Sequence, residues 1–106
     1  MTKKSTLTVE VNGKKVLFSE AKHAAIMTTI VAAAKQKLKV EILYTKADGS
    51  ERWRLVAPYS FNPAYQEHGV VYAEEEDGHI KSFALAQIRE ARSSTETFKP
   101  KWPINL

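Results

Sequence analysis

Three dipeptides, Asn12-Gly13, Asp48-Gly49 and Asp77-Gly78, each lie between two stretches in which apolar and polar residues alternate. Asn-Gly and Asp-Gly are favoured closures of two-residue β-hairpins, because both central residues there take positive φ. Three hairpins therefore punctuate the chain, and each turn sets a register by counting outward. Around 77–78 the count pairs Glu76 with His79, Glu74 with Lys81, Tyr72 with Phe83 and Val70 with Leu85. Val70, Tyr72, Phe83 and Leu85 then form one apolar face, ending in the opposed charges Glu74 and Lys81. Around 48–49 it pairs Tyr44 with Trp53 and Ile42 with Leu55. That register sends Tyr44 and Trp53 to the core and puts Arg52 and Arg54 on the opposite face with Leu43. Around 12–13, Leu7, Val9 and Val11 alternate outward, Val16 and Phe18 return, and Lys14 and Lys15 face solvent.

Between the first two hairpins, Glu20 to about Lys37 reads as a helix with Ser19 as its N-cap and Glu20 in the first turn. It is Ala-rich and free of Gly and Pro. His23, Met27, Ile30 and Ala34 recur at helical spacing, with Ile26 and Val31 alongside, which marks a buried stripe. Lys35, Lys37 and Lys39 complement the helix C-terminus or offer a phosphate-contacting patch. Leu38–Thr45 alternates as a strand, and Pro58 is expected to end its partner or lie at a sheet edge. Tyr59–His68 reads as a loop between hairpins, and a last strand is expected near Gln87–Ser93. The tail carries Phe98 and Trp102 between prolines, so it is expected to dock on the domain or on a partner.

At 106 residues the chain suits one small domain. It has no cysteine, so neither disulfides nor thiolate-bound metals staple it. No apolar run approaches the roughly 20 residues that span a bilayer, and the N-terminus lacks a signal-peptide core, so no membrane partner and a cytoplasmic location are expected. Residues 1–54 carry 11 Lys or Arg against 5 acids, and residues 55–106 carry 5 against 7. The basic first half suits a polyanionic partner as well as it suits a solvated surface. His23, His68 and His79 show no ligand-like spacing. The run Glu74-Glu75-Glu76-Asp77 alternates across a strand and reads as a solvated hairpin tip, so no metal and no cofactor are expected. No nucleophile motif or Gly-rich phosphate loop is present, which argues against an enzyme.

From about Ala24 to Leu106 the order of elements resembles a WYL domain, a small bacterial module of the Sm-like, SH3-type barrel group. The resemblance rests on a helix, a strand ending in Tyr44, the Asp48-Gly49 turn, and a strand leading to Pro58. Val71-Tyr72-Ala73 then stands where the family has Trp-Tyr-Leu, followed by the run Gly78 to Ile88 and the ending Thr97-Phe98-Lys99-Pro100 with Trp102. The family arginine before Phe83 is Lys81, which keeps charge but not the planar fork, and the one before Ile88 is Gln87, which is uncharged.

The resemblance implies an α+β fold: a strongly bent antiparallel sheet or small SH3/Sm-like β-barrel of about five strands, with one packing helix and an extra N-terminal β-hairpin. The expected organisation is a single WYL-like domain over 1–106, with hairpin extension 1–18, helix 19–37, barrel 38–93 and tail 94–106. That hairpin could extend the sheet or offer an edge to a second copy, giving a homodimer. The implied function is a non-enzymatic regulatory or sensor module, bacterial or phage in source. It would bind single-stranded nucleic acid or a nucleotide effector, or a regulatory protein, to modulate transcription or a defence system. The implied ligand-binding residues are Tyr72, Lys81, Gln87, Arg52, Arg54 and Arg89. Arg92 adds charge, and Trp53, Tyr59, Phe61 and Tyr65 are candidate stacking residues. The alternative function is a protein–protein interaction or homo-oligomerisation module without a nucleic-acid ligand, using residues 59–65 and the aromatic tail.

Overall fold

The structure, a computed structural model, describes residues 7–65 and 68–106. Residues 1–6 of the expected hairpin extension and residues 66–67 of the expected loop lie outside the described residues. In chain order the elements are β1 (Leu7–Val11), β2 (Lys14–Phe18), α1 (Ala21–Lys35), β3 (Leu38–Thr45), β4 (Glu51–Asn62), β5 (Val70–Glu74), β6 (Ile80–Ala84) and β7 (Ile88–Thr97). A 3-10 turn, Leu85–Gln87, joins β6 to β7.

β1 and β2 form their own two-stranded sheet, with Leu7 opposite Phe18 and Val11 opposite Lys14. Asn12 and Gly13 are both at positive φ, so this hairpin closes on two residues as expected. It does not extend the main sheet. Val9, Val11 and Phe18 are buried in the shared core, and Phe18 meets the ring of Phe61 at 6.1 Å.

The other five strands are antiparallel in the order β6-β5-β4-β3-β7. Among the described residues no ladder joins β6 to β7, so closure into the expected barrel is not detected. Both Asp-Gly hairpins close differently from the sequence expectation. The Lys46 amide donates to the Ser50 carbonyl and the Gly49 amide to the Lys46 carbonyl, leaving a three-residue loop. Glu75, Gly78 and His79 repeat this pattern in the β5–β6 hairpin. Gly49 and Gly78, at φ +88° and +84°, take the left-handed position that ends such a loop.

The extra loop residue moves each register by one. Tyr44 now faces Arg52 and Ile42 faces Arg54, while Leu43 faces Trp53. Likewise Val71 faces Phe83, Tyr72 faces Ser82 and Ala73 faces Lys81. A one-residue slip exchanges the two faces of a strand. Trp53, expected in the core, is therefore exposed, and Val71 and Ala73 are buried where Tyr72 was expected to be.

β4 runs through Pro58 rather than stopping at it. β3 pairs with β4 as far as Val40–Val56, and β5 takes over from Ala57–Glu74. The proline sits just past that handover, beside a register shift between Pro58 and Ser60, where a missing amide is tolerated. Tyr59 and Phe61, expected in a loop, thus lie within the strand. β7 likewise continues past the expected Ser93 to Thr97.

The helix packs on β7, β3, β4 and the first hairpin, burying His23, Ala24, Ile26, Met27, Ile30, Val31, Ala33 and Ala34. Glu20, not Ser19, is its N-cap, and it makes no side-chain capping bond. The first helical bond runs from the Ala24 amide to the Glu20 carbonyl, so Ser19 lies one residue too early to cap. At the other end Lys37 takes φ +56°, and its carbonyl accepts from the Phe98 amide.

The tail docks as expected. Phe98 and Trp102 meet the Tyr59 ring edge-on at 5.7 and 5.3 Å, and the Asn105 amide donates to the Tyr59 carbonyl at 2.7 Å. Leu106 joins the core.

Lys37 is in a left-handed conformation that costs an ordinary side chain roughly 1 kcal/mol and glycine nearly nothing. Lys37→Gly is expected to raise unfolding stability by about 0.5–1 kcal/mol, read from denaturant midpoints.

Candidate functional site

By alternation and register, Tyr44, Arg52, Arg54, Glu75, Lys81 and Phe83 share the inner face of the five-stranded sheet. They lie at the end where the two Asp-Gly loops emerge. Toward the centre that face is apolar, with Val40, Ile42, Val56, Val71 and Ala73 all buried. Charge begins only at this end. Arg54, which the expected register had turned outward, instead enters the inner face beside Ile42.

Glu75 organises the cluster. It accepts from Arg54 Nη1 at 2.8 Å and pairs with Lys81 Nζ at 2.9 Å, and its side chain is only 15% exposed. Lys81 also lies 3.6 Å from Asp77. The guanidinium of Arg54 lies 5.8 Å from the Tyr44 ring centre and 5.9 Å from that of Phe83. Those two rings meet edge-on at 5.1 Å. Burial opposes ionisation of Glu75, but hydrogen bonds from Lys81 and Arg54, and their charges, outweigh it and hold the carboxyl below its ordinary range. Lys81 is held above its ordinary value, chiefly by its hydrogen bond to Glu75. Glu75 is thus a paired, mostly buried anion, not part of a solvated tip. Glu74 is similarly covered, 2.6 Å from Lys101 of the tail.

One donor in this cluster is unused. Arg54 Nε is buried and has no hydrogen-bond partner. Such a group costs free energy until an acceptor reaches it. Arg52, two residues away on the same face, is exposed and makes no ion pair among the described residues.

The remaining expected residues distribute as follows. Gln87 borders the cluster: its amide donates to the Thr45 carbonyl at 2.9 Å, and its oxygen accepts from the Tyr44 hydroxyl at 3.4 Å. Arg89 is engaged with Glu51 at 2.6 Å. Tyr72 is not brought to this end. It faces the other side of the sheet, where Tyr59, Ser60, Ile80, Trp102 and Pro103 join it around a hollow of about 300 Å3. Arg92 also lies away from the cluster, stacked 4.1 Å over Trp53 and paired with Glu41. Of the expected stacking residues, Tyr59 is buried, Phe61 packs on Phe18, and Tyr65 and Trp53 are exposed.

A second grouping was not expected from the sequence. Glu20, His23 and His68 bring one potential ligand atom each to within 4.8 Å of one another. Sequence spacing hid this because His68 arrives from 45 residues away, on the segment before β5. Burial pushes the His23 imidazole below its ordinary pKa; Glu20 opposes this, and His68 and Lys22 reinforce it. Among the described residues no helix is long and apolar enough to cross a membrane.

Glu75 is depressed on folding, so its contribution to stability is complete above the ordinary glutamate value of 4.5 and fades as pH falls below it. Glu75→Gln is expected to lose about 1–2 kcal/mol at neutral pH and to show a shallower acid-side decline than the wild type. Urea midpoints measured across that pH range check both.

A family model described as the WYL domain matches residues 25–93 of the chain. No curated protein and no solved structure matches it.

Proposed function

The chain belongs to the WYL domain family, and on that premise we propose that it is a non-enzymatic sensor module whose ligand is single-stranded nucleic acid or a nucleotide effector. WYL domains are regulatory, ligand-sensing domains of transcription regulators rather than catalytic ones. The proposed binding surface is the charged end of the inner sheet face. Arg54, Arg52 and Lys81 supply positive charge, Tyr44 and Phe83 supply an aromatic wall, and Gln87 supplies an amide at the border.

The observation that carries this reading is the unpartnered Nε of Arg54. Arg54 spends only Nη1 on Glu75, so its fork retains donors for a phosphate. Glu75 shares itself between Arg54 and Lys81, which leaves the cluster short of negative charge once Arg52 is counted. A phosphate oxygen would supply both the missing acceptor and the missing charge. Tyr72 and Arg89 are proposed as peripheral contacts only, because Tyr72 opens on the other face and Arg89 is held by Glu51.

A second reading, protein interaction or homo-oligomerisation, draws support from the apolar rim on the Tyr72 side. Ile80 and Trp102 are 42% and 45% exposed there. The tail's other apolar anchors, Phe98 and Leu106, are committed within the chain.

Fluorescence anisotropy with labelled single-stranded oligonucleotides and with a labelled nucleotide, across a salt series, tests the first reading. Affinity is expected to fall steeply with salt, because phosphate contacts release counterions. Arg52→Ala is expected to weaken binding without unfolding the chain and to lower the salt slope by about one. No binding at low salt, or an affinity indifferent to salt and to Arg52, would overturn it. Solution mass measured on the same samples reads the second.

A further inference from the structure

We propose that Glu20, His23 and His68 form a site for one divalent transition-metal ion of the zinc class. The three side chains come from two separate parts of the fold. Glu20 is the N-cap of α1, with extended backbone at φ −122° and ψ 133°. His23 follows three residues later, one turn along, so both project from the same side of the helix start. His68 approaches from the segment ahead of β5.

The geometry is close to that of a bound site. Glu20 Oε2 lies 4.0 Å from His68 Nε2. The two imidazole rings are 4.7 Å apart at their centres and inclined at 54°, so they converge rather than stack flat. With metal–ligand bonds of about 2.0–2.1 Å, neighbouring donors around a tetrahedral ion stand about 3.3 Å apart. The present spacing closes to that by small rotations of Glu20 and His68. Their side chains are 54% and 26% exposed, whereas His23, at 4% exposure, is fixed by packing. The site is therefore built on one buried ligand and two that reach toward solvent.

The donor set selects the ion. Two imidazoles and one carboxylate suit zinc, cobalt or nickel, and a hard cation that wants six or more oxygens is poorly served. Three protein ligands leave a position open on the exposed Glu20 side, for water or an added ligand. Glu20 and His23 precede residues 25–93, so this site lies partly outside the region shared with the family. Bound metal would tie the start of α1 to the segment between β4 and β5.

Calorimetric titration of the untagged chain with Zn2+ and Co2+, with Mg2+ as control, tests the site. One ion per chain is expected for zinc and cobalt, with no heat from magnesium. Glu20→Gln and His68→Asn are expected to weaken binding by more than the about 10- to 100-fold that a lost supporting partner costs. His79→Asn, on the β5–β6 loop, is expected to bind as the wild type does. Because replacing buried His23 risks the fold, its role is read in the intact protein from histidine ring NMR shifts on Zn2+ addition. His23 and His68 signals should move together while that of His79 stays. Absence of zinc binding, wild-type affinity in His68→Asn, or an unmoved His23 signal would each overturn the proposal.

Discussion

Gly49 and Gly78, both in the left-handed region, decide which side chains of β4 and β5 look inward. Each ends a three-residue loop, and that single added residue turns Arg54 of β4 and Glu75 of β5 onto the face that carries Tyr44, Lys81 and Phe83. A two-residue closure would have sent Trp53 inward and both arginines out. The charged end of the sheet therefore depends on backbone geometry at two positions before it depends on any attraction between charges.

Bringing cations onto an otherwise apolar face requires an internal anion, and Glu75 is that anion. Ion pairs at this depth gain less than their geometry suggests, because each partner gives up hydration. Glu75 offsets this by serving Arg54 and Lys81 at once, with the aromatic rings of Tyr44 and Phe83 bordering the guanidinium. The hydrogen bonding of the cluster is still incomplete, since Arg54 Nε is buried without a partner.

Much of the architecture was legible in the sequence. The Asn12-Gly13 hairpin, the buried stripe of α1 and the docking of the aromatic tail all follow from local rules and hold in the structure. The two Asp-Gly hairpins were legible as hairpins but not in register, because Asp-Gly closes two- and three-residue loops alike, and the side-chain faces hang on the difference. Hence Arg52 and Arg54 come to the inner face with Lys81 against the expected register, while Trp53 and Tyr72 lie on the side opposite to the one expected. Pro58 misled for another reason. A proline stops a strand only where its amide is needed, and β4 has already changed partners there. The meeting of Glu20, His23 and His68 was invisible because it is a product of tertiary folding, not of spacing along the chain.

Pro58 also marks where the sheet changes partners. β4 serves β3 with one half and β5 with the other, and just past the handover it carries a residue that has no amide hydrogen to offer. No continuation of β3 can donate to or receive a full ladder across that step, so the two halves cannot zip into one flat surface. That step is set by the covalent structure of the proline rather than by the fit of the core. Substitutions among the buried residues leave that change of partner at the same place in the chain.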